Sequence, residues 1–214
     1  MVDDTAAVLA EIDAERCLVA GSSGGGPHAL ACGARLGQAA GVLVIAGVAP
    51  YDAPGLDWMA GMGADNIAEF SAALGGEAEL ESFLQGVREQ LIDITADEVA
   101  ASLDTLLSDV DRAAVTGEYA EDLAARFREA VRMSVAGWLD DDLAFMRPWG
   151  FSLDEISVPV MIWQGSDDLM VPFAHGQWLA RQLPAASAHL VNGEGHVSIE
   201  LGGIDRMLDE LAGL

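Results

Sequence analysis

The segment Gly21-Ser22-Ser23-Gly24-Gly25 is the most informative part of the sequence, and it lies within the stretch CLVAGSSGGGPHALACGARL, Cys17–Leu36. The residues before it form an apolar run that is typical of a buried strand, and those after it have an apolar helical face. A flexible linker would be flanked by polar sequence, so a linker is excluded. The glycine cluster is therefore predicted to be a turn between a strand and a helix.

Two phosphate-binding interpretations of this turn are weak. A Walker-type loop requires a lysine after the glycines, and the chain contains no lysine. A dinucleotide loop matches superficially, because Gly24, Gly26 and Ala29 form the pattern G-x-G-x-x-A. However, no acidic residue follows near Ala46 to bind a ribose hydroxyl, and Pro27 interrupts the fingerprint.

The pattern G-x-S-x-G at such a junction instead predicts a nucleophile elbow centred on Ser23. The serine must adopt a strained conformation, so the residues two before and two after it are expected to lack side chains, which would otherwise collide. The backbone N–H of Gly24 is then placed to donate to a developing oxyanion. Ser22 is the rival nucleophile, but Ala20 would occupy the position two residues before it.

A serine hydroxyl requires a histidine to take its proton and an acid to orient that histidine. The elbow scheme predicts the chain order serine, acid, histidine, with the last two each on a loop after a strand. The stretch WQGSDDLMVP places Asp168 after an apolar strand, and VNGEGHVSIE places His196 after the last strand. Asp167 competes with Asp168 for the role of the acid.

These three stretches resemble the α/β-hydrolase fold family, and they do so through the elbow GSSGGGPHALA, the acid loop GSDDLMVP and the histidine loop GEGHVSI. The similarity is closest to capped, esterase- or peptidase-like bacterial serine hydrolases. It implies that Ser23 is the nucleophile, His196 the general base and acid, and Asp168 the orienting acid. It also implies that Gly24 N–H is one oxyanion donor. A serine at the elbow argues against the dehalogenase and epoxide-hydrolase branches, which have an aspartate there.

The apolar and amphipathic patterns predict an α/β protein with a mostly parallel sheet of about four strands, flanked by helices. Residues 1–50 and 155–214 are predicted to form the hydrolase core, and residues 51–154, which lack a convincing strand, an inserted helical cap. The predicted strands are Cys17–Ala20, Val42–Ala46, Val158–Gly165 and Ser187–Asn192. The predicted core helices are Thr5–Ala14, Pro27–Leu36, Ala174–Gln182 and one from about Ile204.

The resemblance also implies that the chain is a partial hydrolase fold. Members of the family have further strands before the elbow, and a loop among them supplies the second oxyanion donor. By that comparison about 80 residues would be absent here. Because losing one oxyanion donor typically lowers kcat by about 10²–10³-fold, we expect a truncated chain to have doubtful activity.

Composition narrows the possible partners. The formal net charge of −25 would repel phosphate, which excludes nucleic acid and anionic membranes. The longest apolar stretch, AAGVLVIAGVAP, is shorter than the ~20 residues needed to span a bilayer. The N-terminal sequence indicates an acidic helix rather than a leader, so a cytoplasmic protein is expected. Neither the histidines nor the two cysteines have metal-ligand spacing, so we expect no metal and no cofactor.

Apolar residues of the cap region could line an acyl pocket or simply form the cap's own core. They are Trp58, Met62, Phe145 and Trp149. The leading hypothesis is a serine hydrolase that cleaves a small ester or related acyl substrate through an acyl-enzyme. One alternative is a proline-releasing aminopeptidase, which would need an acidic cluster in the cap to bind a substrate ammonium group. The other alternative is a non-catalytic remnant, and the oligomeric state is left open.

Overall fold

The computed structural model describes all residues 1–214, and its centre is a parallel four-stranded sheet in the order β1-β2-β3-β4. This confirms the predicted α/β class. The strands are β1 (Cys17–Ser22), β2 (Ala39–Ile45), β3 (Val160–Gly165) and β4 (Ser187–Val191). The helices are α1 (Val2–Glu11), α2 (Gly25–Arg35), α3 (Ala64–Gly75), α4 (Glu77–Leu91), α5 (Ala96–Ser102), α6 (Asp109–Ala114), α7 (Gly117–Val131), α8 (Ala136–Phe145), α9 (Phe173–Gln182) and α10 (His196–Ala212).

Helices cover both faces of the sheet, which explains why its central strands are continuous apolar runs. On one face, Leu30 of α2 and Leu179 of α9 pack with Val44 and other residues of the central strands. On the other face, Met207 of α10 packs against Leu43 of β2. All five of these side chains are buried. The sheet is therefore the middle layer of three.

Six helices, α3 to α8, lie between β2 and β3, and no strand interrupts them. We call residues 64–145, which contain these helices, the helical segment. Its own apolar clusters join residues of α4, α5 and α7, and of α3, α4 and α8. The first of these clusters also includes Val197 of α10. The helical segment thus shares a core with the element that follows β4.

The ends of several elements differ from the sequence predictions, and α10 differs most. This helix begins at His196, well before the predicted start near Ile204. The structure gives the reason, since Val197 and Ile199 are buried in two apolar clusters and draw the first turn into the core. No helix combines the length and the apolar character required to cross a membrane.

Candidate active site

Ser23 occupies a strained turn between β1 and α2. Its φ of 56° lies in the left-handed region, which residues other than glycine rarely adopt. Its N–H donates to the carbonyl oxygen of Ile45 over 2.8 Å, and its own carbonyl oxygen accepts from Gly26 N–H over 3.0 Å. The junction is therefore the sharp strand-to-helix turn that the G-x-S-x-G pattern predicts.

The glycines around this turn have different roles. A Cβ at Gly21 would overlap the carbonyl oxygen of Gly25, so a side chain is excluded there. A Cβ at Gly25 would meet nothing within 4 Å, so the expectation that this position must also lack a side chain is wrong. Gly26 is a second position with no room for a side chain, since its Cβ would lie 2.9 Å from Gly47 Cα. A glycine at position 26 thus lets α2 approach the segment that follows β2.

His196 and Asp168 meet at the end of the sheet where the strands finish. The ring Nδ1 of His196 lies 2.8 Å from Asp168 Oδ2. Both residues are buried. An Nδ1–H that donates to this carboxylate leaves Nε2 without a proton, which is the form that can act as a base. The competing acid, Asp167, is exposed and its Oδ1 accepts from Ser166 Oγ.

Three further donors fix the Asp168 carboxylate. Its Oδ1 accepts from the backbone N–H groups of Met170 and Val171, both over 2.8 Å. Its Oδ2 accepts from Gln164 Nε2 over 2.9 Å. Every donor here is an N–H group, and with His196 each of the two buried carboxylate oxygens has two partners. The acid is thus held rigidly in the orientation that His196 requires.

The electrostatic surroundings of His196 favour its protonated form. Burial alone would lower the pKa of His196, but the charge of Asp168 and its hydrogen bond outweigh this, so the pKa is raised above 6.5. Asp111 and Glu200 act in the same direction. A raised pKa suits a histidine that must accept a proton during a reaction and release it later.

Asp111 of α6 is a site residue that the sequence analysis missed. Its carboxylate accepts from the N–H of His196 over 2.8 Å, and from those of Val197 and Ser198 over 2.9 Å each. These are the first N–H groups of α10, which have no acceptor within the helix. The residue that caps α10 therefore comes from a distant part of the chain, and no local motif reveals it.

A cavity of about 880 Å³ lies between the sheet end and the helical segment. Ser23, Gly24 and His196 line it, and Asp168 lies directly behind His196. No hydrogen bond joins Ser23 Oγ to His196, as is common where a catalytic hydrogen bond forms only with substrate. The apolar part of the wall comes mainly from the helical segment and includes Phe70, Phe83, Leu103, Phe127, Trp138 and Phe145.

The structure brings only one of the four predicted pocket residues to this cavity. Phe145 lines it, and its Cζ lies 2.9 Å from where a Cβ on Gly24 would be. Trp58 and Met62 do not line it, because they pack into a buried apolar cluster, where Trp58 Nε1 donates to Ala49 O. Trp149 lines a separate cleft, and none of the three triad candidates lines that cleft.

Gly24, the predicted oxyanion donor, lies on the cavity wall directly before α2. Its N–H makes no hydrogen bond within the protein. It is therefore available to a ligand oxygen, beside the positive end of the helix macrodipole.

Two carboxyl groups of the helical segment face the same cavity. Burial raises the pKa of Asp142 to about 9, assisted by the charge of Glu69 and a hydrogen bond with it. Burial also raises the pKa of Glu69, whose Oε1 accepts from Trp138 Nε1 over 2.7 Å. Asp142 Oδ2 is buried and has no hydrogen-bond partner. The two groups thus hold a proton between them at neutral pH and leave one acceptor unused.

The sequence of the whole chain, residues 1–214, matches the model of the alpha/beta hydrolase family. The chain belongs to this family. Membership in the α/β-hydrolases supports a hydrolase function. No curated protein matches the chain significantly.

Solved structures of α/β-hydrolases have the same fold. A serine hydrolase from the polyaromatic-hydrocarbon-degrading bacterium Cycloclasticus zankles has a TM-score of 0.63 and 16% identity, with 99% of this chain and 69% of that chain covered. A bromoperoxidase from Bacillus anthracis has a TM-score of 0.62 and 20% identity, covering 100% of this chain and 73% of its own. The esterase EaEST from Exiguobacterium antarcticum has a TM-score of 0.57 and 15% identity, covering 100% and 71%. At these identities the likeness shows the fold.

Proposed function

We propose that this α/β-hydrolase is a serine hydrolase that cleaves a small ester or related acyl substrate. Ser23 is the nucleophile, His196 the general base and acid, and Asp168 the orienting acid. The observation that carries the proposal is the buried 2.8 Å contact of His196 with Asp168 on the same cavity as the strained Ser23. The helical segment acts as a cap over this site.

The residues support a two-step reaction. Ser23 Oγ attacks the substrate carbonyl carbon while its proton passes to His196 Nε2, and the N–H of Gly24 stabilises the resulting oxyanion. When the intermediate collapses, the carbon–oxygen bond to the leaving alcohol breaks and His196 returns the proton to that alcohol. A water molecule then attacks the acyl-enzyme by the same route, which yields the acid and restores Ser23.

The proposal is tested with a fluorophosphonate probe, which labels an activated serine. We expect labelling of the wild-type chain, and its loss in Ser23→Ala and His196→Ala. The matched control is Ser22→Ala, because Ser22 is the adjacent serine and its Oγ donates to Glu200 Oε2 over 2.8 Å rather than facing an imidazole. A well-folded wild-type chain that resists labelling would support a non-catalytic remnant instead.

One observation favours the aminopeptidase as a second candidate. The paired carboxyl groups of Glu69 and Asp142 lie on the cavity wall, and Asp142 is three residues from Phe145, which reaches Gly24. Such a pair is suited to bind a substrate ammonium group. Hydrolysis rates of p-nitrophenyl esters and of prolyl anilides separate the two candidates, and Glu69→Gln should slow only the anilides if the aminopeptidase assignment holds.

A further inference from the structure

Asp111 is a buried carboxyl group that has no cationic partner. Its relative exposure is 0%, and it takes part in none of the ion pairs of the chain. A buried charge is costly unless hydrogen bonds or opposite charge compensate it. Here the compensation comes from three backbone N–H groups at the start of α10 and from Ser108 Oγ, which donates to Asp111 Oδ2 over 3.1 Å.

The loop before α10 is shaped around this carboxylate. A Cβ at Gly195 would overlap the carboxylate atoms of Asp111, so position 195 must be glycine while Asp111 is in place. Gly195 N–H donates to Ser198 Oγ over 2.8 Å, and that hydroxyl in turn donates to Glu194. The glycine before His196, a part of the histidine motif, is therefore explained by a residue of the helical segment.

We propose that Asp111 is a positioning residue that fixes His196 at the first turn of α10 and stabilises the imidazolium formed when Ser23 gives up its proton. This inference rests on the function proposed above. Asp111 acts through His196 and does not touch the substrate. Because it belongs to α6, it makes the histidine's placement depend on the helical segment.

Asp111 is one of three carboxyl groups close to His196 that raise the pKa of its ring. Asp168 binds the ring, Asp111 binds the backbone N–H of the same residue, and Glu200 follows one turn later on α10. Removing one of three anions lowers the pKa of His196 and leaves the direct bond to Asp168 intact. The other titratable or charged groups of the cavity wall are Asp65, Glu69, Tyr119, Arg126, Asp141 and Asp142.

The test compares Asp111→Asn with the wild type in two measurements. The first is the NMR titration of the His196 ring, assigned by its absence in His196→Ala, which requires no activity. Its midpoint should fall by about one pH unit, the lower end of the range expected from removing one nearby opposite charge. The second is the fluorophosphonate labelling rate of Ser23, which should fall by about 10- to 100-fold because the base is displaced.

Two further variants separate positioning from general structural support. Asp111→Glu keeps the charge but lengthens the side chain, so we expect the His196 midpoint to stay and the labelling rate to fall. It also tests the proposal if Asp111→Asn does not fold. Asp109→Asn is the matched control, because it removes an exposed carboxylate of the same helix α6 and should move neither readout.

Unchanged titration and labelling in folded Asp111→Asn, or wild-type labelling in Asp111→Glu, would overturn the proposal. A failure of the proposed function has a different signature. In that case the wild-type chain is not labelled at all, while the titration midpoint of Asp111→Asn still differs from that of the wild type.

Discussion

Replacing Asp168 by asparagine should abolish most of the serine reactivity. In the wild type, each carboxylate oxygen accepts from two donors, which are the N–H groups of Met170 and Val171 at Oδ1, and Gln164 and His196 at Oδ2. An asparagine has only one oxygen. The two backbone N–H groups cannot become acceptors, so the oxygen of the variant must face them, and its NH₂ group must face His196.

This arrangement forces the wrong tautomer on His196. Its Nδ1 must accept from the new NH₂ group, so the ring proton moves to Nε2, which can then no longer take the proton of Ser23. For triads of this type the loss of the correct tautomer lowers kcat by ~10⁴-fold. That factor corresponds to about 5 kcal/mol of transition-state stabilisation. The folded state also loses charge-assisted hydrogen bonds that contribute about 1.5–3 kcal/mol each.

The assay is the second-order rate of fluorophosphonate labelling at a temperature where the variant is folded, as judged by circular dichroism. The control is Asp167→Asn, since the neighbouring carboxylate is exposed and bonded only to Ser166. We expect it to label at the wild-type rate. Labelling of Asp168→Asn within a few-fold of the wild type would refute the assignment of Asp168 as the orienting acid.

Three other predictions follow from the site. Labelling should be lost as the pH falls, with a midpoint above 6.5, because His196 must be neutral to act as a base and its pKa is raised; a midpoint below 6.5 would contradict this. Gly24→Ala should lower kcat/KM for p-nitrophenyl esters by about 10-fold, since its Cβ would lie 2.9 Å from Phe145 Cζ, and Phe145→Leu in the same chain should restore most of it. Asp142→Asn should raise the melting temperature. A carboxyl whose pKa is raised in the folded state, here to about 9, loses stability as the pH rises from its ordinary value of 3.8, so the gain should be larger at pH 8 than at pH 5. An equal gain in melting temperature at both pH values would contradict the raised pKa of Asp142.

The central sheet could be predicted from the sequence because its signals are local. Apolar runs bounded by turn residues lie at β1, β2 and β3, the mixed stretch SAHLV forms β4, and helical patterns separate the strands, which is sufficient to predict parallel pairing. The turn at Ser23 could also be predicted from the sequence, since a serine with glycines on both sides, directly after a strand, is characteristic of a nucleophile elbow. The glycine at position 25 shows the limit of that pattern, because the space around it depends on packing between distant segments.

The features that could not be predicted depend on contacts between distant segments. Asp111 lies in an ordinary acidic stretch, and only the fold brings it to α10. The early start of α10 has the same origin, because it depends on the buried contacts of Val197 and Ile199 and on the cap that Asp111 supplies from another element. Trp58 and Met62 have the large apolar side chains that are expected in a pocket. Such side chains can pack in a core as readily as they line a cavity.

The pairing of Val42 with Val160 at the centre of the sheet has a consequence for the order in which the chain folds. During synthesis, β2 leaves the ribosome long before its neighbour β3. The two strands can pair only after the whole helical segment between them has been synthesised. Contacts this distant in sequence close slowly. The cluster containing Val197 is completed later still, when the last helix arrives. The nascent chain therefore exposes an incomplete apolar surface until α10 has been made, and during that interval it can aggregate or be bound by a chaperone.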